Sequence, residues 1–136
     1  MTDPIDVRVQ RLRSVPLFAE LGDDTLGRIL DTVTESEVAA GHVLIAPNQA
    51  GAGLFVIESG TVVVERLDGN IELGPGEFLG ELALLDDGAG HSARVRTVEP
   101  VRFLAIARDD FMELIESEPK AAVAMLRILA RRLRTA

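Results

Sequence analysis

Gly76-Glu77-Phe78-Leu79-Gly80-Glu81-Leu82-Ala83-Leu84-Leu85, running on into Asp86-Asp87-Gly88-Ala89-Gly90-His91-Ser92-Ala93, is the stretch from which the rest of the chain is read. Glycine at 80 permits backbone geometry, and a closeness of approach, that a side chain forbids. Glu81-Leu82-Ala83-Leu84-Leu85 suits a single helical turn. The amides that open such a turn find no acceptor inside the helix and carry its partial positive charge, so they form a cradle for an anion. The Glu81 carboxylate accepts hydrogen bonds and donates none, which fits it to a sugar hydroxyl and not to a phosphate. An anion cradle beside a hydroxyl acceptor points to a small phosphosugar. The competing reading of the same residues is a purely structural bend.

On both sides of this stretch the pattern is β-rich. Between about Glu37 and Ala107 short apolar runs alternate with turn residues, at His42–Ile45, Leu54–Glu58, Thr61–Glu65, Ile71–Leu73, Ser92–Val98 and Val101–Ala107. Asp68-Gly69 reads as a two-residue hairpin turn. Strands this short, at this spacing, predict a β jelly roll. The flanks are helical. Val7, Val9, Leu12 and Val15 are loosely amphipathic before Pro16, and Asp23 or Asp24 is placed to cap a helix carrying Leu26, Ile29, Leu30 and Val33. Asp109-Asp110 open one C-terminal helix, and Pro119 opens the last, with Ala122, Leu126, Leu129 and Leu133 as its apolar stripe and Lys120, Arg127, Arg131 and Arg134 on another face. The expected organisation is one domain over residues 1–136: N-terminal helices at 5–33, the jelly roll at 35–107 and a C-terminal helix pair at 109–134.

The composition narrows the function. With 136 residues, 47% hydrophobic and 26% charged, the chain is an ordinary globular protein. It has no cysteine, hence neither disulfides nor thiolate metal sites. The N-terminus does not read as a signal peptide, and no run approaches the roughly 18 apolar residues of a membrane span; a cytoplasmic setting is expected. A net charge of −8 and a pI near 4.7 disfavour a phosphate backbone as partner. His42 and His91 are the only histidines, too few for a cupin-type metal site, so no metal is expected. His91 and Ser92, as neighbours, would lie on opposite faces of a strand, so no catalytic residues are assigned and the chain is read as a non-enzyme.

The central stretch closely resembles the phosphate-binding cassette of the cyclic-nucleotide-binding domain family, the CRP and protein kinase A regulatory-subunit type, whose pattern runs F-G-E-x-A-L, a short loop, then R-[SAT]-A-x-V. Phe55-Val56-Ile57-Glu58-Ser59-Gly60-Thr61-Val62 is similar to the family's central strand–glycine–strand, and Asp110-Phe111 with Leu129-Ala130-Arg131-Arg132-Leu133 to its C-terminal helices. The resemblance implies that Glu81 holds the ribose 2′-hydroxyl, that Gly80, Leu82 and Ala83 surround the cyclic phosphate, and that Ser92 adds a contact. The ligand it implies is cyclic AMP or cyclic GMP. His91 stands where the family has its phosphate-binding arginine.

Arginine brings a permanent charge and a two-pronged donor matched to phosphate; histidine offers one ring N–H and, at its ordinary pKa, is mostly neutral at pH 7. A charged hydrogen bond contributes roughly 1.5–3 kcal/mol, so its loss corresponds to about 10- to 100-fold weaker binding. Strand parity sets Arg94 and Arg96 on the face opposite His91, Ala93 and Val95, away from the interior. Two functions fit. One is a sensor in which cyclic nucleotide biases the C-terminal helix; the other is a degenerate domain serving as a protein-interaction or dimerisation module. A homodimer through the C-terminal helix and a separate effector protein are the expected partners. DNA binding by this chain alone is not expected, since no helix-turn-helix follows Ala136.

Overall fold

β-Branched and aromatic residues, cut into short runs by glycine and proline, give eight strands from Val33 to Ala107: β1 (Val33–Val38), β2 (Val43–Ile45), β3 (Gly53–Ser59), β4 (Val62–Arg66), β5 (Gly69–Leu73), β6 (Phe78–Leu79), β7 (Arg94–Thr97) and β8 (Val101–Ala107). The computed structural model describes residues 5–45, 53–85 and 93–135. The strands form two four-stranded sheets, in the orders β1-β8-β3-β6 and β2-β7-β4-β5, with every described ladder antiparallel. This is the expected jelly roll. Its core draws equally on the two sheets: Ile57, Leu79, Val101 and Phe103 from the first, Ile45, Val62, Leu73 and Val95 from the second. Phe55 meets Phe103 edge to face at 5.4 Å between ring centroids.

The helices are α1 (Ile5–Arg13), a 3₁₀ turn at Pro16–Phe18, α2 (Asp23–Leu30), α3 (Glu81–Leu85), α4 (Arg108–Ser117) and α5 (Pro119–Thr135). Two compact units result: the sandwich, Val33–Phe111, and a helical unit made of the chain up to Thr32 and from Met112 onward. In the helical unit Val9, Leu12, Leu17, Phe18, Leu26 and Ile29 are buried. Arg13 pairs with Asp23 and donates to the Leu21 carbonyl at 2.7 Å. Glu118, in the turn between α4 and α5, accepts hydrogen bonds from Thr25 Oγ1 at 3.2 Å and Arg28 Nη2 at 3.4 Å.

Several local expectations are corrected. Neither Asp23 nor Asp24 caps α2: Gly22 is the N-cap, without a side-chain hydrogen bond, and both acids lie in the first turn, where the helix dipole favours them. Val33 does not extend α2; it begins β1, opposite Ile106. The hairpin turn is Leu67-Asp68, one residue earlier than expected, because Arg66 pairs with Gly69 and glycine absorbs a φ of 129° inside the strand. In α5 the buried face is Ala121 and Met125, flanked by half-buried Ile128 and Arg132; Leu126 and Leu133, read as its core stripe, are exposed. The helix carries two apolar stripes, and the fold covers the other one.

Candidate functional site

The site is assembled where β6 runs into α3. Phe78 and Leu79, both buried, pair with Val56 and Phe55 and so join this segment to β3. Two further bonds hold the approach to it: Gly76 N–H donates to the Ile57 carbonyl at 2.8 Å, and Ile57 N–H donates to the Glu77 carbonyl at 2.9 Å. Gly80 then turns the chain with φ 95°, and a Cβ built there would lie 2.7 Å from the Gly53 carbonyl oxygen. Only glycine satisfies both constraints. The sequence placed a close backbone approach at Gly80; within the protein the partner in that approach is β3.

The single turn expected at Glu81–Leu85 is α3. Glu81 opens it and is 5% exposed, while Leu84 is buried and anchors the turn. A carboxylate is not buried without a use or a set of partners, because leaving water costs it several kcal/mol. The amides of Leu82 and Ala83 lie in the first turn, whose N–H groups have no acceptor within so short a helix. Gly80 thus immediately precedes the helix start, and Glu81, Leu82 and Ala83 are its first three residues. His91 and Ser92 lie outside the described residues.

From the second sheet Val62, Leu73 and Val95 belong to the core cluster, and Val64 packs against it. Val64 and Ile71 are directly opposed across the β4–β5 hairpin. Val64 packs against the core cluster, yet Ile71, on the same face, is 38% exposed. Part of the apolar surface of β5, at the edge of the second sheet, is therefore exposed. Sequence reading did not single out these two residues; the alternation along Val62-Val63-Val64, continued across the hairpin turn, was the available signal.

Arg94 and Arg96 point outward, as parity predicts: Val95 and Thr97, which alternate with them, are buried. Both arginines are engaged by Glu65 on the outer face. Arg94 donates through Nε and Nη2 to its two carboxylate oxygens, each at 3.1 Å, and Arg96 Nε donates at 3.0 Å. The Arg94 guanidinium, with Arg96 beside it, holds Glu65 below the usual carboxylate value, and Glu65 in turn raises Arg94. Neither arginine is aimed at the interior. Thr97 is buried and fastens the adjacent turn: its Oγ1 donates to the Ala39 carbonyl at 2.6 Å and accepts from His42 N–H at 2.9 Å. Among the described residues, no group of three or more His, Cys, Asp or Glu is placed to hold a metal ion, and no helix is long and apolar enough to cross a membrane.

Residues 35–118 match the family model described as the cyclic nucleotide-binding domain. The cyclic AMP receptor protein of Thermus thermophilus is 34% identical over 131 residues, covering 92% of this chain and 60% of that protein. An uncharacterized NTE family protein of Mycobacterium tuberculosis is 32% identical over 125 residues, 90% of this chain and 21% of the relative. Among solved structures, the catabolite activator protein of Thermus thermophilus superposes with a TM-score of 0.75 at 33% identity, covering 88% of this chain and 59% of that one. The chain therefore spans between about a fifth and three fifths of the length of these proteins.

Proposed function

This chain belongs to the cyclic nucleotide-binding domain family, and from that premise we propose that it is a regulatory sensor domain that takes cyclic AMP, or a related cyclic nucleotide, against α3. The observation that carries the reading is Glu81: an almost fully buried carboxylate at a helix start, one residue after a glycine that no other residue replaces. In this reading the amides of Leu82 and Ala83 face the cyclic phosphate, Glu81 accepts from the ribose hydroxyl, and Val64 and Ile71 give an apolar wall for the base. His91 and Ser92 complete the phosphate contacts. With histidine in place of the forked arginine donor, and with Arg94 and Arg96 committed to Glu65 on the outer face, the grip on phosphate is weak for this type of site. The match to a protein whose name is cyclic AMP receptor supports cyclic AMP as the first ligand to try. Ligand binding then biases the C-terminal helix, the route by which a domain without chemistry of its own reports occupancy. The competing reading, a domain that has lost its nucleotide and serves only as an interaction module, rests on His91.

Calorimetric titration of the chain with cyclic AMP and cyclic GMP at pH 6 and pH 8 separates the two. The sensor reading expects saturable binding, tighter at pH 6, where protonation of His91 adds charge. Glu81→Ala should weaken it by about 10-fold or more, the loss of one charged hydrogen bond. His91→Arg should tighten it by roughly one to two orders of magnitude. Silence at millimolar ligand in the parent and in His91→Arg would sink the sensor and leave the interaction module.

A further inference from the structure

The second sheet ends on β5, and the outer edge of that strand is open. Arg66–Glu72 are seven consecutive exposed residues, from the end of β4 through the hairpin turn into β5. The direction of their main-chain groups follows from the ladder on the far side of β4. Val98 N–H donates to the Thr61 carbonyl at 3.2 Å, so Thr61 turns its main chain toward β7. Bonded and unbonded pairs alternate along antiparallel strands. Val63 and Glu65 therefore also face β7, whereas Val62, Val64 and Arg66 face β5 and bond Leu73, Ile71 and Gly69. The N–H and C=O groups of Asn70 and Glu72 are left pointing away from the sheet.

The other sheet edges are guarded. β1 carries Glu35 and Glu37, β2 has a break in register between Val43 and Ile45, and β6 is two residues long. Charge, irregularity and shortness are the features that blunt an edge. β5 instead pairs with β4 over five residues without a break, and it has neither proline nor lysine. Its one charge is Glu72, which stands opposite the apolar Val63 and has no partner among the described residues. The neighbouring charges are paired with one another: Arg66 with Asp68, and Glu65 with Arg94 and Arg96.

We propose that β5 receives an extended segment of another protein as a fifth strand, with a basic residue opposite Glu72, an apolar one opposite Ile71 and a polar one opposite Asn70. Main-chain bonds to Asn70 and Glu72 supply the affinity, and the alternating side chains supply the selectivity. In an antiparallel addition Ile71 belongs to the closer, unbonded kind of pair. The apolar residue of the segment then covers a side chain that is 38% exposed without it. The β5 of a second copy, Gly69-Asn70-Ile71-Glu72-Leu73, has no basic residue to set opposite Glu72. The inference goes beyond the ligand reading, and its test uses no nucleotide, so the failure of one leaves the other standing.

The probe is a short synthetic peptide in which lysine and threonine, in turn, alternate with valine, titrated into the full chain by fluorescence anisotropy. It should bind saturably. The same peptide N-methylated at its lysine and threonine amides should bind about 10-fold more weakly or worse, since it keeps every side chain and loses the donors that face β5. Replacing its lysines by glutamate should cost about two- to fivefold on the parent chain, and Glu72→Lys should reverse that preference. Asn70→Pro removes an outward donor and no bond to β4, so it should cost about 10-fold while the unfolding midpoint stays near the parent's. The methylated peptide on the parent chain tests the same bonds without altering the fold. Equal affinity for the plain and methylated peptides, or none for either, would overturn the proposal. So would a dimer of the chain alone, by sedimentation, that Asn70→Pro dissolves, because the edge would then be taken by a second copy.

Discussion

A side chain at Gly80 should damage the sandwich for two separable reasons, and three glycines of the same unit separate them. Gly74 has neither a positive φ nor any atom within 4 Å of a built Cβ; Gly69 has φ 129° and open space; Gly80 has φ 95° and the Gly53 carbonyl oxygen 2.7 Å away. Gly74→Ala should be neutral or stabilise by up to ~0.5 kcal/mol, through the unfolded chain. Gly69→Ala should cost ~1–2 kcal/mol, the left-handed strain of a residue with a Cβ. In Gly80→Ala the same strain is joined by a contact that must open by several tenths of an ångström to reach the ordinary 3.4 Å, and its far side is main chain that cannot rotate away. Forcing such a shift adds ~1–3 kcal/mol, for a total of ~2–5 kcal/mol. Urea unfolding followed by far-ultraviolet circular dichroism reads these as midpoints; with a slope of about 2 kcal/mol per molar, Gly80→Ala should lower the midpoint by roughly 1–2.5 M. If Gly80→Ala and Gly69→Ala unfold at the same urea concentration, the approach to β3 is not what demands glycine, and the account of the site's entrance fails.

Three more outcomes follow from the outer face and the edge of the second sheet. Arg94→Ala should leave cyclic-nucleotide affinity within about twofold of the parent, because its partner is Glu65; a tenfold loss in the titration would show that it reaches the ligand instead. Glu65 has its pKa lowered in the folded protein, so its contribution is present above the ordinary value of 4.5 and is lost as pH falls through the lower folded value. Glu65→Gln should therefore lower the melting temperature at pH 7, with the gap to the parent closing at acid pH; a gap that widens in acid would refute the assignment. Thr97→Val removes the donor to Ala39 and the acceptor for His42 N–H, both part-buried, and should cost ~1–3 kcal/mol in the same urea assay. A neutral result would mean that the Ala39–His42 turn is held by its other bonds alone.

What was legible in the sequence is what local pattern encodes. The short apolar runs at Leu54–Glu58 and Val101–Ala107, set between turn residues, gave the central strands, Glu81–Leu85 gave the α3 turn, and the alternation of Arg94 and Arg96 with Val95 gave the face they occupy. β1 was mostly missed because Thr34-Glu35-Ser36-Glu37 is a polar edge strand: its pairing with β8 is a main-chain matter, and little of it is buried. The hairpin slipped by one residue because a glycine of positive φ reads the same in a turn or in the first position of a strand. The stripe of α5 was misassigned for a deeper reason. Helical periodicity reveals an apolar face, and this helix has two; which one a domain covers is set by elements far away in sequence. The inner wall of Val64 and Ile71 escaped for the same reason, since it exists only once the hairpin is paired.

The glycines of β3 and of the turn before α3 also bear on how such a domain can diversify. A Cβ at Gly53 would stand 2.4 Å from the Ile106 carbonyl oxygen, and one at Gly80 would meet the Gly53 carbonyl in the same way, so three main chains are layered with no side chain between them. The seat of the helix turn is therefore set by peptide planes and not by residue volumes. Substitutions that drift through the surrounding side chains over generations leave the position of this turn where it is. On the proposed reading of α3 as the ligand's seat, ligand preference is free to evolve in this architecture, and the place where the ligand is met is not.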